Sequence, residues 1–269
     1  MQSMPNFLLS LTNKSFFIIF LACTLLFSGC ATIESESPER WDVKRLYSEG
    51  VDSLKHEDYT FATEYFEMME SRFPFEPLTQ QAMLMNAYAY YKSSDPESAI
   101  ASLDRFIKLY PTHQEVDYAY YLRGLAHFHS RDSFMDDMFD IDAAKRDPES
   151  VERSFNYFAE LLNRFPNSQY SADAKQRMQF LRNSLARHEI HVARHHMERG
   201  AFIAAVNRST VIVERYNGTP ASGDALAILA EAYLQLKHYD LAKDTIDILR
   251  LNYPTHPDID QLSQRMTKI

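Results

Sequence analysis

The sequence predicts an all-α fold, a superhelical array of about five helix-turn-helix repeats, from two features that recur together. An aromatic residue and a proline, once replaced by Asn, close five stretches rich in helix-forming residues: Phe73-Pro74, Tyr110-Pro111, Phe165-Pro166, Tyr216-Asn217 and Tyr253-Pro254. Twelve residues before each proline or its Asn substitute stands a small residue that lets two helices pack closely: Ala62, Ala99, Ser154, Ala205 and Ala242. Because proline has no N–H to donate and clashes with the preceding turn, each aromatic–proline pair predicts a helix end.

Four further signals predict helix starts that agree with these ends. In Ser37-Pro38-Glu39 the serine is a candidate N-cap, the proline takes the first helical position and the acid lies near the positive end of the helix dipole. Asp95-Pro96-Glu97 and Asp147-Pro148-Glu149 repeat the arrangement, and Thr219-Pro220 is a weaker version. Paired antiparallel helices closed in this way are typical of tetratricopeptide repeats, with a period of about 34 residues. Such arrays are binding surfaces far more often than catalysts.

Counting back from the closing residues divides the chain into repeats. Residues 38–166 hold three repeats, residues 167–256 hold two, and residues 257–269 are predicted to be a frayed polar tail. The repeats with clear bounds are the first (about Val43 to Pro74), the second (Gln80 to Pro111) and the fifth (Gly223 to Pro254). The fourth repeat ends at Asn217, and its first helix is predicted to be long, extending back to Ser168.

The third repeat carries an insertion between its two helices. Its first small position is Gly124 and its second is Ser154, thirty residues apart where the repeat pattern expects twelve. The difference predicts about eighteen inserted residues near 131–149.

The first 29 residues predict a signal peptide. Lys14 precedes a short apolar stretch that is too short for a comfortable membrane span. Phe27-Ser28-Gly29-Cys30 then resembles the lipobox of bacterial lipoproteins, in which the signal is cut before the cysteine. The resemblance implies that Cys30 carries an S-diacylglycerol and an N-acyl chain, that residues 30–37 are a lipidated tether, and that Ala31 directs the protein to the outer membrane. An ordinary cleaved signal and an uncleaved anchor are the alternatives.

Charge and motifs argue against several other functions. The net charge is −9 without a basic stripe, whereas nucleic-acid binding needs a clustered positive face. The chain has no phosphate-binding glycine loop and no nucleophile motif, so we expect neither an enzyme nor a cofactor other than the lipid. Four histidines have helical spacing, but no zinc-protease motif joins them, so no metal site is expected: His188, His191, His195 and His196.

The first helix of each repeat is expected to line a concave groove. In the first three repeats the groove positions are rich in aromatic residues, and those chosen as candidate ligand contacts are Tyr47, Leu84, Tyr88, Tyr91, Tyr118 and Tyr121. Aromatic side chains give large contact area at little rotamer cost, which suits recognition of a peptide. The alternative is that these rings only pack between adjacent repeats.

Beyond the repeat pattern, the chain resembles the BamD family of lipoproteins, which belong to the β-barrel assembly machinery of Gram-negative outer membranes. The resemblance covers nearly all of the chain after Cys30, and it rests on motifs that include Arg72-Phe-Pro-Phe75, Ala87-Tyr-Ala-Tyr-Tyr-Lys92, Tyr121-Leu-Arg-Gly-Leu125, Pro166-Asn-Ser-Gln-Tyr170 and Val206-Asn-Arg208. It implies a position on the periplasmic face of the outer membrane. It also implies as partners the POTRA region of BamA, the lipoproteins BamC and BamE, and unfolded β-barrel clients.

The resemblance further assigns roles to the two groups of repeats. The N-terminal repeats would receive the C-terminal targeting strand of barrel clients, which ends in an aromatic residue. The C-terminal repeats would dock BamA, and Arg208 would pair there with a carboxylate; the alternative is a solvated surface charge. We therefore expect a non-catalytic, lipid-anchored scaffold of barrel assembly. The alternative function is that of another outer-membrane tetratricopeptide lipoprotein, one that coordinates envelope or cell-wall assembly.

Overall fold

The computed structural model describes residues 37–128 and 148–268. The chain divides into two compact units, residues 1–41 and residues 42–269. Of the first unit only residues 37–41 are described, where Pro38–Arg40 form a single 3-10 turn. Pro38 takes the first position of this turn as predicted, but the side chain of Ser37 makes no capping hydrogen bond. The predicted lipid site Cys30 lies outside the described residues.

The second unit is helical throughout its described residues, 42–128 and 148–268, which confirms the all-α prediction. Eleven α-helices occur there: α1 (Val43–Lys55), α2 (Tyr59–Arg72), α3 (Pro77–Lys92), α4 (Pro96–Leu109), α5 (Val116–Phe128), α6 (Pro148–Arg164), α7 (Ser171–Glu198), α8 (Phe202–Arg215), α9 (Ala221–Gln235), α10 (Tyr239–Asn252) and α11 (Ile259–Thr267). None of them is long and apolar enough to cross a lipid bilayer.

The helices pair as the repeat pattern predicts. Each odd-numbered helix from α1 to α9 packs against the even-numbered helix that follows it, so the five pairs are the five predicted repeats. The first helices of neighbouring repeats are also in contact: α1 with α3, α3 with α5, and α7 with α9. The α5 and α7 helices meet through side chains, since the rings of Phe128 and Phe180 lie 5.7 Å apart. The first helices therefore form a layer on which aromatic residues of successive repeats can meet.

The predicted helix ends are confirmed. The five helices before the closing residues end one residue before the aromatic, whose N–H still donates to the carbonyl four residues back, for example Phe73 to Met69 at 2.8 Å and Tyr253 to Leu249 at 2.8 Å. The next residue is proline in four of the five cases, and it cannot donate the next helical hydrogen bond. All five predicted small residues are fully buried between helices: Ala62, Ala99, Ser154, Ala205 and Ala242.

The predicted helix starts are confirmed only in part. Asp95 caps α4, because its carboxylate accepts a hydrogen bond from the N–H of Ser98 at 3.1 Å. At Thr219-Pro220 the predicted helix start is confirmed to within one residue, because α9 begins at Ala221, but the predicted cap is wrong, since no side chain caps this helix. The hydroxyl of Thr219 instead lies 3.4 Å from that of Ser222. Asp147 lies outside the described residues, although α6 does begin at Pro148.

Two predicted bounds on the C-terminal side of the chain differ from the structure. The polar tail predicted for 257–269 is wrong, because Ile259–Thr267 form α11 and bury Ile259 and Leu262 against the fifth repeat. The first helix of the fourth repeat is long, as predicted, at 28 residues, but it begins at Ser171 rather than Ser168. Residues 129–147 lie outside the described residues, so the predicted insertion near 131–149 stays a prediction.

Candidate functional site

Five tyrosines from three repeats lie together on the layer of first helices, and we call them the tyrosine patch: Tyr88 and Tyr91 of α3, Tyr118 and Tyr121 of α5, and Tyr170 in the turn before α7. The Tyr121 ring stacks on that of Tyr170, with ring centroids 4.7 Å apart and planes inclined by 14°. The Tyr118 ring lies 5.5 Å from Tyr170, and the Tyr88 and Tyr91 rings are 6.2 Å apart. All five are partly buried, so each ring packs on the core and also presents a surface.

The electrostatics of Tyr118 show that the five phenols share one environment. Burial raises the pKa of the Tyr118 phenol far above its ordinary value, and the other four phenols of the patch raise it further. Burial also raises the pKa of Tyr91. The phenols of Tyr118 and Tyr91 therefore stay protonated at neutral pH and offer neutral hydroxyl groups on an apolar surface.

A carboxylate and a guanidinium of α7 border the patch. Asp173 accepts hydrogen bonds from the Tyr121 hydroxyl at 2.6 Å and from Arg177 Nε at 2.5 Å. Burial opposes ionisation of Asp173, but these two hydrogen bonds outweigh it and lower the pKa of Asp173. Burial and the bond to Asp173 together raise the pKa of Tyr121 to about 12. The guanidinium of Arg177 also lies 4.7 Å from the centre of the Phe128 ring, which fixes it at the edge of the patch.

Two of the six predicted groove residues do not belong to this patch. Leu84 is fully buried in the core of the second repeat with Leu103 and Phe106, so its prediction as a ligand contact is wrong. Tyr47 packs beside Phe66, with ring centroids 6.4 Å apart. Its pKa is raised first by burial and then by Glu115, and its ring packs against Phe66 rather than against a tyrosine of the patch.

Three residues in or beside the patch are absent from the predicted set: Tyr170, which belongs to it, and Asp173 and Arg177, which border it. All three come from the start of the fourth repeat, whereas the predicted groove residues come from the first three repeats. Extending the count of first helices by one repeat would have found Asp173 and Arg177, which are four residues apart on one face of α7. Tyr170 precedes the helix, so no helical spacing could indicate it.

The patch is suited to binding. Partly exposed rings with fixed hydroxyl groups can hold the apolar side chains of a polypeptide while donating hydrogen bonds to its backbone. In the part of the chain that the structure describes, no three His, Cys, Asp or Glu side chains lie close enough to hold a metal ion.

Arg208, the residue predicted to contact a partner protein, is exposed on α8. Its Nη1 donates to both carboxylate oxygens of Glu189 on α7, at 3.3 and 3.2 Å. The Arg208 side chain is 48% exposed, whereas that of Glu189 is 16% exposed. A planar guanidinium has five N–H donors, so Arg208 can keep Glu189 and still donate to a carboxylate of a partner.

Known proteins resemble this chain over most of its length. The model of the family described as YfiO, outer membrane lipoprotein, matches residues 40–249. Outer membrane protein assembly factor BamD of Neisseria meningitidis serogroup B is 41% identical over 249 residues, 91% of this chain and 93% of that protein. The protein of the same name from Vibrio cholerae serotype O1 is 39% identical over 232 residues, 86% of this chain and 95% of that protein. A solved structure, the TPR domain of P58(IPK), aligns with 84% of this chain and 64% of that chain at 16% identity and a TM-score of 0.39, too low to support an argument.

The matched range contains all ten helices of the five repeats except the last residues of α10, and therefore both the tyrosine patch and Arg208. The two relatives are matched over more than nine tenths of their own length, so the similarity is not confined to a shared repeat. By the family match and by these identities, the chain belongs to the YfiO family of outer membrane lipoproteins, together with the BamD assembly factors.

Proposed function

We propose that this protein is a non-catalytic, lipid-anchored scaffold of outer-membrane β-barrel assembly. Its relatives bear the name of outer membrane protein assembly factors, and arrays of paired-helix repeats are typically binding surfaces. The lipobox and the lipoprotein family support acylation of Cys30, which would hold the repeats at the periplasmic face of the outer membrane. Several buried acyl chains make such attachment effectively permanent.

The tyrosine patch is the observation that carries the proposal. It is built from three consecutive repeats, and its rings are partly buried, so each still presents a surface. Four of its five tyrosines belong to the N-terminal repeats, where the client strand is expected. A strand that ends in an aromatic residue can place that ring against the tyrosines. The surrounding hydroxyl groups can then donate hydrogen bonds to its backbone carbonyls.

A peptide that copies the terminal strand of a barrel protein tests the client site. The peptide should bind the full protein, and replacing its terminal aromatic residue by Ala should weaken binding about tenfold, because one ring buried among aromatic partners is lost. Isothermal titration calorimetry measures both affinities. Equal binding of the two peptides would remove the client hypothesis.

Matched variants of the protein locate the site. Tyr88→Ala removes a ring of the patch and should weaken binding of the peptide with the aromatic end. Tyr239→Ala removes a partly exposed ring of α10, outside the patch, and should leave the affinity unchanged. If both variants weaken the peptide equally, the strand binds elsewhere.

The C-terminal repeats are proposed to dock the POTRA region of BamA through Arg208, with BamC and BamE as further partners of the assembly. Arg208→Glu should reduce co-purification of BamA more than tenfold, because reversal of an interface charge sets two carboxylates against each other. Glu189, already largely buried next to this position, would add to the repulsion within the protein.

Arg215→Glu is the matched control for that experiment. Arg215 lies on the same helix and is more exposed, and its nearest carboxylate, Glu152, is 3.9 Å away. We expect this variant to retain BamA, and circular dichroism should show native helix content in both variants. Retention of BamA by Arg208→Glu would show that the contact lies elsewhere.

A further inference from the structure

A cavity of about 540 Å³ lies between the first two repeats, and none of the five tyrosines of the patch lines it. Its walls come from both second helices, and its floor comes from α3. The side chains that matter for its chemistry are Glu67 and Glu70 of α2, Asn86 and Tyr90 of α3, and Ser102 and Arg105 of α4. None of these residues has a role in the function proposed above.

Two buried polar side chains of this cavity have oxygens without partners. Asn86 is 2% exposed and Ser102 is 7% exposed, and among residues 37–128 and 148–268 neither Oδ1 of Asn86 nor Oγ of Ser102 has a hydrogen-bond partner. Nδ2 of Asn86 donates to Glu70 at 3.4 Å, which is longer than an ordinary hydrogen bond. A turn of the carboxamide would bring Oδ1, which is buried in the free protein, to the cavity and would give up only this long contact. A buried acceptor without a donor is unfavourable, so a donor that enters the cavity is stabilised.

The charges of the cavity also favour a cationic donor. Glu70 forms an ion pair with Arg105, so those two charges balance. Glu67, which is exposed at the rim of the cavity, accepts a hydrogen bond from the neutral hydroxyl of Tyr90, and no ion pair among the described residues neutralises its charge. Burial and the contact with Glu67 raise the pKa of Tyr90 to about 12, which keeps this phenol a donor at neutral pH. One excess negative charge beside oxygens without donors is complementary to an ammonium or guanidinium group.

The surface next to the cavity indicates that this group belongs to a polypeptide. Leu109 lies one helical turn beyond Arg105 on the same face of α4, and it is 55% exposed. A small amine would use the acceptors and leave Leu109 uncovered, whereas a basic side chain brings the apolar atoms of its neighbours. We propose that this cavity binds an arginine or lysine side chain of a partner polypeptide.

Defined probes test the proposal on the full chain in detergent. The probes are an acetylated, amidated Ala-Arg-Ala tripeptide, the same peptide with norleucine in place of Arg, and spermidine. The Asn86 side-chain amide, followed by NMR, should shift in a saturable way with the Arg peptide and should not respond to the norleucine peptide. Equal shifts with both peptides, or no saturable shift with the Arg peptide, would overturn the proposal. Tighter binding of spermidine would assign the cavity to a free polyamine and overturn the polypeptide assignment.

A pair of charge-neutralising variants supplies the control. Glu67→Gln removes the unbalanced charge and should lower the affinity for the Arg peptide about tenfold, which is the usual effect of losing one charge-assisted hydrogen bond. Glu64→Gln changes an exposed acid of the same helix that does not line the cavity, and it should leave the affinity unchanged. Equal affinities in the two variants, each with native circular dichroism, would show that the cavity does not bind the side chain.

Discussion

Gly124→Ala is expected to lower the free energy of unfolding by about 2 kcal/mol. A Cβ atom added at Gly124 would lie 2.5 Å from both Cδ1 and Cε1 of Phe158, a ring that is fully buried. Forcing a methyl group into such a core costs about 3 kcal/mol, and the better helix propensity of Ala returns about 1 kcal/mol. Urea unfolding followed by circular dichroism measures the difference.

A double-mutant cycle with Phe158→Leu identifies the clash as the cause. The smaller leucine should make room for the new methyl group, so the double variant should be less destabilised than the sum of the two single variants. Gly223→Ala serves as the control, because the nearest atom to its added Cβ is 3.1 Å away and belongs to the edge of His256. Strict additivity at Gly124 and Phe158, or equal losses at Gly124 and Gly223, would contradict the explanation.

This glycine–phenylalanine contact also explains why the fold could be predicted from the sequence. The repeat pattern requires a small residue on the first helix and an aromatic residue on the second, and the same pair occurs in the first repeat. There a Cβ added at Gly50 would lie 2.6 Å from the Phe66 ring. Close approach of the two helices restricts which residues fit, so the fold leaves a periodic trace in the sequence.

The errors in the fold occur where no such restriction acts. α11 follows the last closing proline, and neither an aromatic–proline pair nor a small residue at the repeat offset marks its bounds in the sequence. Its core contacts are Ile259, Leu262 and Met266, spaced three and four residues apart. That spacing fits a helix, but three apolar residues in a polar segment are a weak signal.

The candidate site was predicted only in part, because its geometry depends on contacts between repeats. Tyr88, Tyr91, Tyr118 and Tyr121 were identified from repeat positions. Leu84 occupies an equivalent position, yet α3 turns that side chain into the core of its own repeat. Tyr170 stacks on Tyr121 from 49 residues away along the chain, and helical spacing says nothing about a contact that begins in a turn.

Arg123→Met should have the largest effect on stability, about 3 kcal/mol. Arg123 is 8% exposed on α5, and its Nη1 donates to Asp104 on α4 at 2.6 Å while its Nη2 pairs with Glu160 on α6. Its guanidinium also lies 4.4 Å from the centre of the Tyr157 ring. Removing one partner of a buried ion pair costs about 3–5 kcal/mol, and the lower end applies here because both carboxylates are partly exposed and can be hydrated.

Two further variants separate the charge from the planar geometry of Arg123. Arg123→Lys keeps the charge but cannot reach both carboxylates in one plane, so it should recover only part of the loss. Arg153→Met removes an arginine of α6 that is 46% exposed, and it should change stability little. If Arg123→Met cost no more than Arg153→Met, the buried ion pairs would not stabilise the fold. Because Arg123 joins α4, α5 and α6, its loss should also increase hydrogen exchange in α5 and α6 together, and α5 is the helix that carries Tyr118 and Tyr121.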